Sequence, residues 1–188
     1  MMNTTPIRIP LYLALAAGLS GCFAMGTKPK QTICEVLQEN EEWVEPIVNA
    51  QSRYGTPASL TLALLEMPLS DIEKRHIYPR TADWDEYRVR TENWAASTRS
   101  PRYSVDFIGW FTHETLKRNN VRWSDVSAHY LSYRLGHGGY HRFEPDKYPE
   151  LQQQAERVTL QAQRWHQELK TCQLQVEGRS WYSKLKFW

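Results

Sequence analysis

Neither sign of charge dominates this chain: 23 Lys and Arg stand against 21 Asp and Glu in 188 residues, a formal +2. A nucleic-acid binder carries a basic face or stripe, so this balance argues against that class. Long apolar runs are missing too. The longest candidate, Ile9 to Leu19, is too short to span a bilayer. No strand-like alternation is sustained and no internal repeat is visible, which leaves an all-α or nearly all-α fold. The sequence reading assigns the chain no metal and no cofactor. What the chain does have is aromatic residues, with 8 Trp and 10 Tyr in an aromatic fraction of 12%. Such rings fill helical cores, and they also line saccharide grooves.

The N-terminus reads as a targeting segment, residues 1–21. Arg8 supplies the positive charge, Ile9 to Leu19 the apolar stretch, and Leu19-Ser20-Gly21-Cys22 matches the lipobox before a diacylated cysteine. A mature chain starting at Cys22 would be lipid-anchored in a bacterial cell envelope. Phe23, rather than an aspartate, follows the lipidated residue and points to the outer membrane, facing the periplasm. Residues 22–32, with Gly26, Lys28, Pro29 and Lys30, read as a tether. Of 3 cysteines, Cys22 is then taken. Cys34 and Cys172 remain as an even pair in an oxidising compartment, one before the first helix and one after the last. A bridge between them would close almost the whole domain, worth about 4 to 5 kcal/mol on the chain-entropy account.

The domain should span 33–172, with an aromatic, basic tail over 173–188 that either lies on a membrane or covers the domain. Apolar spacing predicts a helix from about Glu41 to Arg53, stopped at Gly55. Thr56 and Pro57 should open a second helix that Pro68 ends. Leu69 to Ala82 reads as a loop across a cleft. Thr81 or Asp83 should cap a short helix through Trp84 and Tyr87. Further helices are expected from Ser104 to Asn119, from Val126 to a stop at Gly136, and from Tyr148 to Leu169.

Two stretches carry a specific likeness. Tyr54-Gly55-Thr56-Pro57-Ala58-Ser59-Leu60-Thr61-Leu62-Ala63-Leu64-Leu65-Glu66-Met67-Pro68-Leu69-Ser70 resembles the helix that presents the catalytic glutamate in lytic transglycosylases of the goose-lysozyme-like class. Tyr130-Leu131-Ser132-Tyr133-Arg134-Leu135-Gly136-His137-Gly138-Gly139-Tyr140 is similar to their Ala-Tyr-Asn-Ala-Gly-x-Gly segment, and closer still to the Gly-His-Gly-Gly-Tyr of lipoprotein members. Asp106-Phe107-Ile108-Gly109-Trp110 agrees with the same subgroup. The likeness runs from about 33 to 188 and implies a lysozyme-like helical domain whose partner is peptidoglycan. It also makes Tyr78, Tyr133, His137 and Tyr140 candidates for substrate binding, with Tyr133 near the acid and the bound sugar. Read without the family, Tyr133 is a buried tyrosine at a helix end. His137 would bond either a sugar hydroxyl or a backbone carbonyl. Glycines 136, 138 and 139 permit positive φ and close approach to a ligand.

The departures concern the chemistry. Aligned without a gap, Pro68 falls on the catalytic glutamate and Leu69 on the serine after it. The glycine-glutamine block of the cleft floor is replaced by Glu73 to Ala82, and Arg134 stands where an asparagine is expected. One carboxylic acid must protonate the leaving oxygen and then, as carboxylate, take the proton of the sugar's 6-hydroxyl. Glu66 is the candidate displaced acid, although two residues along a helix turn it by about 200° from Pro68. Asp71 and Glu73 are further candidates on the following loop. The sequence is therefore read as a degenerate transglycosylase-like lipoprotein that binds glycan strands or an envelope protein. The alternatives are an active enzyme with a displaced acid and a structural envelope lipoprotein.

Overall fold

The computed structural model describes residues 32–65 and 79–172, together with the backbone of 175–176 and 179–180. All of them belong to the unit spanning 31–188. The described part holds eight α-helices, α1 (Ile33–Glu39), α2 (Val44–Tyr54), α3 (Ala58–Leu65), α4 (Thr81–Thr91), α5 (Pro101–Asn119), α6 (Val126–Leu135), α7 (His137–Tyr140) and α8 (Pro149–Thr171), with single 3-10 turns at Glu41–Trp43 and Pro145–Lys147. The all-α reading holds but for one antiparallel pair, β1 (Gln175–Val176) and β2 (Arg179–Ser180), in which Gln175 faces Ser180.

Sequence spacing had passed over α1. Thr32 and Glu35 form a capping box, with the Glu35 amide donating to Thr32 Oγ1 at 3.3 Å and the Thr32 amide to Glu35 Oε2 at 2.8 Å. Cys34 thus lies inside the first helix rather than before it. It is bridged to Cys172, the C-cap of α8, with a Cα–Cα distance of 5.6 Å, which suits a disulfide. Beside the bridge, Glu168 accepts from the Ile33 amide at 2.7 Å, so α8 satisfies one of the free donors of α1.

The core centres on α3, where every residue from Ala58 to Leu64 is buried. A helix apolar on all sides belongs inside a bundle, and here α8 and α5 pack against it. The inward stripe of α8 is Ala155, Ala162, Trp165 and Leu169, at helical spacing. Helix α2 ends as expected at Gly55, whose φ of 78° gives a left-handed cap with its amide bonded to Gln51. Helix α3 begins at Ala58, two residues after Thr56, whose hydroxyl turns to α5 rather than to a cap: it donates to Gly109 O at 3.1 Å and lies 3.0 Å from the Thr112 hydroxyl.

Helix α5 starts at Pro101, three residues before the expected Ser104, because Pro is well suited to a first helical position. Buried Ser104 donates instead to Thr98 O at 2.9 Å. Helix α5 crosses α2 closely at Gly109. A Cβ there would lie 2.7 Å from Tyr54 Cδ2 and 3.0 Å from Ala50 Cβ, so hydrogen is the only side chain that fits without movement.

Candidate functional site

Tyr133 and His137, both from the second motif stretch, meet on α5. Phe111 is their common neighbour. It meets Tyr133 of α6 edge-on at 5.9 Å between ring centres and stacks on His137 of α7 at 4.4 Å. Tyr133 also meets Phe107 edge-on at 6.4 Å and is buried. Its ring is therefore part of the aromatic core of Phe107, Trp110, Phe111 and Tyr87.

His137 bonds the Phe111 backbone, one of the two partners expected for it, and a side chain besides. Its Nε2 lies 3.0 Å from Thr115 Oγ1. Thr115 already donates its only proton to Phe111 O at 2.8 Å, so its oxygen accepts and His137 carries its proton on Nε2. Burial, and then the charge of Arg118, push the imidazole down to about 4, so at neutral pH it is uncharged.

Only one of the three motif glycines needs its freedom. Gly136 has φ 75° and ψ 161°, a region closed to side chains, whereas Gly138 and Gly139 are helical within α7. The expectation of positive φ at those two is corrected by the short helix that the motif forms. The Arg80 guanidinium donates to Leu135 O and occupies the space where a Gly136 Cβ would go. The turn that could have approached a ligand is thus covered by an arginine from the start of α4. Tyr140 is half-buried against the core, with the exposed His141 as its ring neighbour at 5.6 Å.

Arg118, Glu86 and Glu114 are the charges that reach His137 in this turn. Arg118 of α5 grips Glu86 of α4 with two bonds, 2.5 and 3.1 Å, and reaches Glu114 at 3.0 and 3.2 Å. The Arg118 bonds hold the Glu86 carboxyl below its ordinary range. At Glu114, burial pulls upward, but bonds from Arg118 and Lys117 prevail and the carboxyl is lowered. Asp83 goes the other way. Burial raises it despite Arg80, whose Nε stands 3.9 Å from Oδ2, an ion-pair distance too long for a hydrogen bond.

A second polar centre, which the sequence reading passed over as a site, is Asp106. Its Oδ2 accepts from Tyr87 at 2.8 Å, Tyr54 at 3.2 Å and Asn93 at 3.4 Å, while Oδ1 faces Arg53 at 3.5 Å. Both tyrosine hydroxyls are pushed well above their ordinary range, first by burial and then by the Asp106 charge. The available signal was an aspartate inside an apolar helix stripe, Asp106-Phe107-Ile108, which demands a buried partner set.

Of the sequence candidates, the structure brings Tyr133 and His137 together and places Tyr140 beside them in chain but against other partners. Cys34 and Cys172 are bonded. Cys22, Glu66, Pro68, Asp71, Glu73 and Tyr78 lie outside the described residues. Among the described residues no group of three His, Cys, Asp or Glu is placed to hold a metal ion.

The description "transglycosylase SLT domain" belongs to the family whose model matches this chain, over residues 10–70 and 67–172. The two stretches meet at 67–70, where Pro68 stands. No curated protein and no solved structure matches it.

Proposed function

The chain belongs to the transglycosylase SLT domain family, and we propose that it is an envelope lipoprotein, anchored through Cys22, that binds peptidoglycan strands without cutting them. The family makes peptidoglycan the substrate or partner class. One observation carries the absence of cleavage. The carboxylates whose charge reaches His137, Glu86 and Glu114, are both lowered, with Arg118 bonded to each. A general acid must hold its proton near the working pH, and these groups are displaced in the opposite direction. His137 is neutral and bonded within the fold, to Thr115 and to the Phe111 backbone. Pro68, at the aligned position of the family's glutamate, has no proton to give.

A second reading, retained cleavage by a displaced acid, has one observation in its favour: Asp83, raised by burial and lacking a hydrogen bond at Oδ2. Glu66 remains its other candidate. A single pair of measurements separates the readings. The purified full chain, in detergent, is mixed with sacculi, and both sedimentation and released products are followed. Co-sedimentation with no anhydromuropeptides is expected, unchanged by Glu66→Gln or Asp83→Asn. Anhydro products that vanish in either variant would establish the second reading and identify the acid. Failure to pellet with sacculi, together with no products, would remove peptidoglycan binding itself.

A further inference from the structure

A cleft of about 630 Å³ opens between the beginnings of α2 and α5, with Asp106 in its wall. Asp106 and Phe111 are five residues apart, about 140° around the helix, so this cleft and the Tyr133–His137 cluster use different faces of α5. Asp106 is held by three donors from α2, α4 and the chain after it, so that part of the wall is built before any ligand arrives. Its remaining oxygen balances Arg53.

What is left unbalanced has a pattern. Glu42 and Glu45 line the cleft from the α2 side and Arg102 from the α5 side, beside Tyr103, with the Arg102 guanidinium 5.6 Å from that ring centre. Among the described residues neither glutamate nor Arg102 has an ion-pair partner. Charges of opposite sign thus share one cleft without pairing across it. A simple cation would leave Arg102 unmatched, a simple anion would leave the glutamates unmatched, and a neutral sugar would match neither. A volume in the range of small-molecule sites accommodates a molecule that carries both charges.

We infer that this cleft binds a short zwitterionic peptide, its ammonium toward Glu42 and Glu45 and its carboxylate toward Arg102. The inference rests on the peptidoglycan reading above, in which the peptide is the stem that branches from the glycan. Because the pairing groups are solvent-exposed, the binding should be modest and weakened by salt.

The test is titration calorimetry at low ionic strength, with the full chain in detergent and, as probe, N-acetyl-L-alanyl-γ-D-glutamyl-meso-diaminopimelate, whose alanine amine is acylated as it is on the glycan. Saturable binding is expected, weakened about tenfold, near 1.4 kcal/mol, by Arg102→Ala and by Glu45→Gln. Acetylation of the diaminopimelate amine should weaken it at least as much. Both substituted side chains are exposed, and unchanged circular dichroism would exclude loss of fold. Absence of saturable binding, or equal binding by the variants and the doubly acetylated probe, overturns the inference. Peptide-free glycan strands in parallel keep the two readings apart. Glycan binding without tripeptide binding removes the cleft proposal alone. Tripeptide binding without glycan binding upholds the cleft and removes the strand-binding function.

Discussion

Arg80 lies over Gly136, its guanidinium filling the position that a Cβ would take, while it donates to the neighbouring Leu135 carbonyl. The glycine is therefore required twice, for its φ of 75° and for the arginine above it. Gly136→Ala should cost about 1–3 kcal/mol from the backbone alone, with a further loss as Arg80 is displaced. Removing the arginine relieves only the second part. Urea denaturation of Gly136→Ala, Arg80→Ala and the double variant should show a double-variant loss smaller than the sum. Additivity within about 0.5 kcal/mol would mean that the two side-chain positions do not compete.

Gly109 allows α2 and α5 to touch through Tyr54 and Ala50. Alanine is the better helix former by about 1 kcal/mol, so propensity alone predicts stabilisation by Gly109→Ala. The clash should win. With Tyr54 Cδ2 at 2.7 Å, the ring must move, and its hydroxyl bond to Asp106 moves with it. Overpacking of this kind costs about 1–3 kcal/mol. A raised melting temperature would show that the helices separate freely and that the contact is not constraining.

The periodic and punctuated parts of the chain were legible without a structure. Gly55 and Gly136 each end the helix that the sequence assigned to them, and α5 ends at Asn119 as expected, because left-handed or extended positive-φ caps leave a strong residue signature. The short α1 was missed because its stripe is only Ile33 and Leu37, too little to register as periodicity; its capping box was the better signal. The glycines of 138 and 139 misled in the opposite sense, since a loop-like composition folded as a turn of helix on the support of Phe111 and Thr115. In the site, motif spacing located Tyr133 and His137 but could not show that Arg80, Glu86 and Arg118 converge there. Those residues come from α4 and α5, and only tertiary packing brings them to the same turn.

The Cys34–Cys172 bridge fastens α1 to the end of α8, 138 residues away in sequence. Such a long loop is worth about 5 kcal/mol in the chain-entropy account, and measured bridges commonly give about 2–4. Reduction, or Cys34→Ala with Cys172→Ala, should lower global stability by that order. Helix α1 is the part most dependent on it, since a helix of 7 residues has little stability of its own. Hydrogen exchange should therefore lose protection in 33–39 before the α3 core does. Equal loss in both regions would show that α1 is held by packing rather than by the bridge.

Acid should destabilise the fold before the carboxylates titrate. His129 is fully buried, stacked on Trp123 at 5.5 Å and bonded to the Arg122 carbonyl at 3.2 Å. Burial pushes it down to about 4, as it does His137. An unfolded histidine titrates near 6.5. The unfolded chain therefore takes up protons first as pH falls, so the stabilisation is fully present above about 6.5 and is lost progressively toward 4. For His129 this amounts to about 3 kcal/mol; the part-exposed His137 adds a smaller share because water screens it. Glu86 and Glu114 are lowered and should lose their contribution only below the ordinary carboxylate range, while Asp83, being raised, opposes the trend. Urea midpoints at pH 7.5, 6.0 and 4.8 should fall steadily, and His129→Gln should flatten the decline while lowering the value at pH 7.5. A parent protein equally stable at all three pH values would contradict neutral burial of the two histidines.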